Sequence, residues 1–310
     1  MRGLLFLYAM QLHFKQLGQG RPLVMLHGLF GSLDNWLGVA PKLAGTFSLF
    51  LVDLRNHGLS PHGEDMNYSV MAGDLAEFFD SQKLDRASLI GHSMGGKAAM
   101  QFALNFPGRV EKLVVVDISP RASPHNHEEI FRALMALDPM QYQSRGQMEE
   151  VLARDIPDLA VRRFLLKNLR SVRDTSPAAS SHFEWRIPLD ILFKGYPNIC
   201  DAIPFREPSL EGGCAGDQPQ RATTSASAAP KAFGGAALPP HRRAPNANRF
   251  IGPALFVRGG KSHYIAEDGL PQIQELFPQA RIETIAAAGH WVHADAPEEF
   301  LQRVKAFLMD

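Results

Sequence analysis

The sequence predicts an α/β fold: a mostly parallel sheet with helices on both faces and a helical cap inserted before the penultimate strand. Three observations carry this. Short apolar runs alternate with helical patterns through the first third of the 310 residues, and the same alternation resumes after residue 250. The runs are continuous rather than alternating, as strands buried on both faces must be. Between the two blocks lies a stretch with helical periodicity and no strand pattern.

Taken in order, "MQLHFKQLG" (10–18) alternates and suits an antiparallel edge strand. "PLVMLHG" (22–28), "FSLFLVDLR" (47–55), "RASLIGH" (86–92) and "EKLVVVDIS" (111–119) are the continuous runs. "DNWLGVAPKLAG", "YSVMAGDLAEFFDSQ" and "MGGKAAMQFALNF" between them predict helices. Residues 120–206 form the expected cap. There Ile130, Leu134 and Leu137 share a face, as do Val161, Phe164, Leu165 and Asn168, with Arg162, Arg163 and Lys167 opposite. "PALFVRGG" (253–260), a helix near 267–277, a strand through "ARIETIAAAGH" and a helix from about Pro297 complete the core, assigned to 1–119 and 249–310. Residues 207–248 differ in kind. Roughly three in five are Ala, Gly, Pro, Ser or Thr, too few aliphatics to bury much surface, so the expectation is a disordered insertion.

Composition is that of a globular protein, 45% apolar and 21% charged. A net charge of zero gives no basic footprint for nucleic acid. Two cysteines, Cys200 and Cys214, in a stretch that looks irregular form no disulfide framework, which suits a reducing, cytoplasmic setting. "MRGLLFLYAM" is too short an apolar run for most secretory leaders and suits a strand extension. No run is long enough to span a bilayer.

The stretch "LIGHSMGGKAAM" (89–100) fits two chemistries. Gly91, Gly96 and Lys97 match most of a phosphate loop, but that loop needs a hydroxyl after the lysine to hold Mg²⁺, and position 98 is Ala98. Gly91, Ser93 and Gly95 match a nucleophile elbow, G-x-S-x-G. Small residues two positions either side of the nucleophile are needed where strand and helix backbones approach closely. The turn exposes the Ser93 hydroxyl, and the Met94 amide at the helix start faces a developing oxyanion.

On such a scaffold the partners follow in the order Ser, Asp or Glu, His. His290, in "AAAGHWVHAD", stands after the last strand and is the expected base, with His293 as its rival. Asp117 ends the strand "LVVVD" at the same sheet edge and is the preferred acid; Asp268 is the alternative. A second oxyanion donor belongs on the loop "MLHGLFGS", from Leu29 first and Phe30 next. His27, before a glycine turn, is expected to be structural, His57 sits in a tight turn after a strand, and His92 must point away from the elbow. "HNHEE" (125–129) offers an H-x-H pair without further ligands at metal spacing, so it predicts an exposed loop rather than a metal site. Neither metal nor cofactor is expected.

Together, "HGLFGSLDNW", "DLRNHGLS", "GHSMGGKAAM", "VVVDISP", "FEWRIPL" and "AGHWVHADAP" resemble the YbfF-type esterases of the α/β-hydrolase superfamily. The resemblance covers most of 10–200 and 250–310 and departs from the family at about 200–249. It implies the α/β-hydrolase fold with a small helical cap, Ser93 as nucleophile, His290 as base and an acid after the strand carrying Asp117. It also implies a small-molecule acyl ester or thioester, such as acyl-CoA, as substrate. Carbon–carbon hydrolase, peptidase and perhydrolase chemistry can use the same three groups, and a non-catalytic ligand-binding role is the alternative of a different class.

Overall fold

A computed structural model of the chain describes residues 10–173, 181–203 and 249–310. The N-terminal run 1–9 and the low-complexity stretch 207–248, Cys214 included, lie outside the described residues. The sheet has seven strands in the order β1-β3-β2-β4-β5-β8-β9. These are β1 (Phe14–Leu17), β2 (Arg21–Leu26), β3 (Phe47–Val52), β4 (Ala87–His92), β5 (Val110–Val116), β8 (Ala254–Gly259) and β9 (Ala280–Ile285). Only β1 runs antiparallel, pairing with β3 from Phe14↔Val52 to Leu17↔Leu49. All other pairs are parallel.

The unbroken apolar runs follow from two-sided burial. Val24 and Leu26 join the core on one face while Leu23 and Met25 join the core on the other. The first face is covered by α1 (Tyr68–Ser81) and α2 (Met94–Asn105), and the second by Trp36, Val39 and α9 (Pro297–Met309). Further on, α7 (Leu270–Leu276) and the single turn α8 (Val292–Asp295) flank β9.

Between β5 and β8 the chain leaves the sheet as α3 (Glu128–Ala136), α4 (Arg145–Leu152), α5 (Leu159–Leu166), a hairpin of β6 (Leu169–Arg173) and β7 (Ser181–Trp185), and α6 (Leu189–Cys200). This insertion is fastened to the first turns of α1 and α2. Tyr68 Oη donates to the Ile199 carbonyl at 2.6 Å, and the buried Lys97 ammonium donates to the Asp201 carbonyl at 2.7 Å. Burial drives the Lys97 pKa down to about 8.

Three local expectations are corrected. "DNWLGVAPKLAG" is no α-helix: it makes two 3₁₀ turns, Leu33–Trp36 and Ala40–Lys42. Gly38 separates them, and Pro41 has no N–H to continue the first. The insertion is not strand-free, because β6 and β7 pair antiparallel from Leu169↔Trp185 to Arg173↔Ser181. Their period of two is only five residues long and follows directly on the helical period of α5. Cys200, expected in irregular chain, is the buried last residue of α6. No described helix is long and apolar enough to cross a membrane.

Candidate active site

Parallel strands deliver their following loops to one edge, which is where this fold gathers chemistry. Ser93 follows β4, Asp117 follows β5, and His290 follows β9. Ser93 and Asp117 both stand at φ 51°, in the left-handed region that non-glycine residues avoid. Each is pinned there by sheet continuation: the Ser93 amide donates to the Val116 carbonyl at 3.0 Å, and the Asp117 amide to the Val257 carbonyl at 2.9 Å. The glycines around Ser93 are sterically required. A Cβ on Gly91 would lie 2.2 Å from the Gly95 oxygen, and one on Gly95 2.4 Å from the His27 oxygen.

His290 Nε2 lies 3.0 Å from Ser93 Oγ, and its Nδ1 lies 2.8 Å from Asp117 Oδ2. Asp117 is fully buried, whereas the His290 side chain keeps 24% of its exposure. Asp117 Oδ1 accepts the Gly259 amide at 2.8 Å, and Oδ2 also accepts the Ser262 hydroxyl in a short hydrogen bond. Asp268, the alternative acid, is exposed and ion-paired with Arg121 at 2.6 Å. His293, the rival base, is buried against Trp36, its ring 4.5 Å away.

On the loop after β2, Gly31 turns back on the Gly28 carbonyl. The Phe30 amide is committed, donating to His57 Nε2 at 3.2 Å, and its carbonyl accepts Asn168 Nδ2 at 2.8 Å. That clamp holds Phe30 at φ 59°. The Leu29 amide, like that of Met94, meets no acceptor among the described residues. Of these two loop amides, only that of Leu29 is left unengaged among the described residues.

Burial lowers the pKa of His57 to about 3 and depresses that of His27, whose Nε2 accepts the Leu54 amide at 3.0 Å. Both rings are neutral hydrogen-bonding struts; the structural role expected of His27 extends to His57.

Several residues at this site escaped sequence reasoning. Asn168, expected only as part of an α5 face, crosses from the insertion to the Phe30 loop. Ser262, on the loop after β8, donates its hydroxyl to Asp117. The Tyr264 ring stacks on that of His290, centroids 4.1 Å apart and planes 26° apart. "HNHEE" is not simply an exposed loop, since His127 is half-buried and bonded to Tyr196.

A Ser–His–carboxylate line on a strand-to-helix turn, with free amides beside it, is equipped for acyl transfer. Residues 21–297 match the family model for the alpha/beta hydrolase fold. The chain belongs to the α/β-hydrolase family. It is 35% identical to Esterase YbfF of Escherichia coli K12, with 93% of each chain covered. It is 33% identical to the sn-1-specific diacylglycerol lipase ABHD11 of Xenopus tropicalis, covering 93% of this chain and 78% of that one. Among solved structures, a marine microorganism esterase superposes with a TM-score of 0.79 at 36% identity, covering 96% of this chain and 99% of that one. The likeness to YbfF-type esterases read from the sequence motifs is thus borne out.

Proposed function

We propose that this α/β-hydrolase is a carboxylic ester hydrolase that works through Ser93, His290 and Asp117 and an acyl-enzyme intermediate. The observation carrying this reading is the pair of distances from one imidazole, 3.0 Å to Ser93 Oγ and 2.8 Å to Asp117 Oδ2. The relatives named esterase and diacylglycerol lipase support an ester as the substrate.

His290 takes the Ser93 proton as the hydroxyl oxygen attacks the carbonyl carbon. The tetrahedral oxyanion is met by the Leu29 and Met94 amides, at the start of α2 where the helix adds partial positive charge. The carbon–oxygen bond to the alcohol, or the carbon–sulfur bond to a thiol, then breaks, and His290 returns the proton to the leaving atom. Water repeats the sequence on the acyl-enzyme: it gives a proton to His290, adds to the carbonyl, and expels Ser93, which is reprotonated. Asp117 fixes the proton on Nδ1 and stabilises the imidazolium.

The substrate extends to acyl thioesters such as acyl-CoA, because the same steps cleave a thioester whose leaving group is better. Cysteine usage supports a cytoplasmic setting. A panel of p-nitrophenyl esters and acyl-CoAs of graded chain length tests the reading. Turnover should appear on at least one series and fall by several orders of magnitude in Ser93→Ala; near-native turnover by the variant contradicts it.

A further inference from the structure

His127 stands just before α3, on the insertion rather than the sheet. Its backbone N–H donates to Tyr196 Oη at 3.0 Å, and its Nδ1 lies 3.1 Å from the same oxygen. A phenol oxygen that accepts the amide still has its own proton to give; of the two groups beside it, Nδ1 at 3.1 Å and the Cys200 thiol, the imidazole nitrogen is the stronger acceptor. The imidazole hydrogen then sits on Nε2, which no protein group engages among the described residues.

The ring packs near the loop after β2. It is 6.2 Å from the Phe30 ring, next in the chain to Leu29. The preceding residue, Asn126, lies beside the Tyr264 phenol, and Tyr264 stacks on His290. His127 therefore lies near both the Phe30 loop and the Tyr264 ring that stacks on His290. Burial first, and the nearby His290 second, lower its pKa to about 4. At neutral pH it offers a hydrogen bond without a charge and does not compete with His290 for the Ser93 proton. Its other surroundings are aromatic, with Phe131 packed 4.8 Å from Phe30 and 5.3 Å from Tyr196. A donor set among aromatic rings orients whatever acceptor reaches it.

We propose that His127 is a substrate-contacting residue that selects esters whose leaving group carries a hydrogen-bond acceptor a few bonds from the scissile linkage. The side follows from the chemistry, and so rests on the hydrolase reading above. His290 must protonate the leaving oxygen or sulfur, so the leaving group lies against His290 and its stacked Tyr264 ring, and a donor near Tyr264 faces that half of the substrate. A hydroxylated alcohol or an amide-bearing thiol fits; a plain alkyl alcohol leaves the Nε2–H unmatched.

Two butyrate esters of equal size isolate the effect: 2-hydroxyethyl butyrate and n-propyl butyrate differ by a hydroxyl in place of a methyl. The readout is the ratio of their kcat/KM values, measured with the full chain. In His127→Leu the preference for the hydroxylated ester should fall by about three- to tenfold, the usual worth of one neutral hydrogen bond. His127→Gln, which keeps an N–H donor, should recover part of it. Tyr196→Phe, which removes the proton that sets the tautomer and keeps the ring, should move the ratio the same way, and serves if His127→Leu does not fold. An unchanged ratio overturns the proposal even if both activities drop, because a structural disturbance lowers both alike. Ser93-dependent hydrolysis with an unmoved ratio defeats the role of His127 alone; absence of Ser93-dependent hydrolysis of any ester defeats the hydrolase reading with it.

Discussion

His92 Nε2 lies 2.9 Å from the backbone carbonyl oxygen of His290, so the residue before Ser93 holds in place the residue that faces it. A carbonyl only accepts, which puts the ring hydrogen on Nε2. Burial, reinforced by His290 and His293 nearby, keeps the His92 ring neutral and fit for that bond. His92→Leu removes the anchor and lets the imidazole wander. Misplacement of a reacting group by about 1 Å costs up to about 100-fold. We expect kcat on p-nitrophenyl butyrate to fall by about 10- to 100-fold with KM little changed. A kcat within twofold of the parent (about 0.4 kcal/mol) means the anchor is dispensable.

The choice between carboxylates is equally open to measurement. Asp117 is buried and bonded to His290 Nδ1, whereas Asp268 is exposed and paired with Arg121. Asp117→Asn should lower kcat by about 10³- to 10⁴-fold, the size of effect seen when the acid of such a triad is neutralised. Asp268→Asn removes an exposed ion pair and should leave turnover near the parent's. The opposite ranking in steady-state kinetics would move the acid to the loop after β8.

Backbone proximity at the elbow predicts a stability effect. Gly91→Ala places a Cβ 2.2 Å from the Gly95 oxygen, against backbone that cannot rotate away. Thermal unfolding followed by circular dichroism should show a loss of at least about 1–3 kcal/mol, the usual range for overpacking. An unshifted melting temperature would mean strand and helix approach less closely than described.

Stability should also fall with acid, earlier than carboxylates alone would cause. The folded-state pKa is lowered to about 3 at His57 and about 4 at His293 and His127, against an ordinary value of 6.5. Below about pH 6.5 the unfolded chain takes up protons that the folded chain refuses. The contribution of these rings is therefore whole above pH 6.5 and lost as pH falls toward 4. Each histidine adds a slope of about 1.4 kcal/mol per pH unit in that window. Urea midpoints at pH 7.5, 6.5 and 5.5 should decline progressively, and His57→Gln should flatten the decline. A level profile across that range contradicts the burial of these rings.

The legible parts of this molecule were those where one physical demand acts on a long window. Two-sided burial writes continuous runs, so five of the sheet's strands are readable from 22–28, 47–55, 86–119 and 253–260; the edge strand β1 is readable from alternation instead, and the elbow at Ser93 writes its glycines because no other residue fits. Illegible parts depend on contacts between distant segments. Nothing local in Asn168 says that it meets Phe30, 138 positions away. Ser262 is not legible either, because a hydroxyl supporting the carboxylate of another strand writes no motif. The hairpin of β6 and β7 was hidden by brevity, and its first strand is mostly exposed, so the alternation that marks a half-buried strand is faint.

The central claim is that Ser93 becomes covalently acylated with help from His290. It is tested most directly by treating the full chain with a fluorophosphonate probe and locating the adduct by peptide mass spectrometry. The account predicts one adduct, on the peptide carrying Ser93, absent in Ser93→Ala and strongly slowed in His290→Ala. Labelling that persists in Ser93→Ala, or a chain that hydrolyses esters while Ser93 stays unmodified, would contradict it.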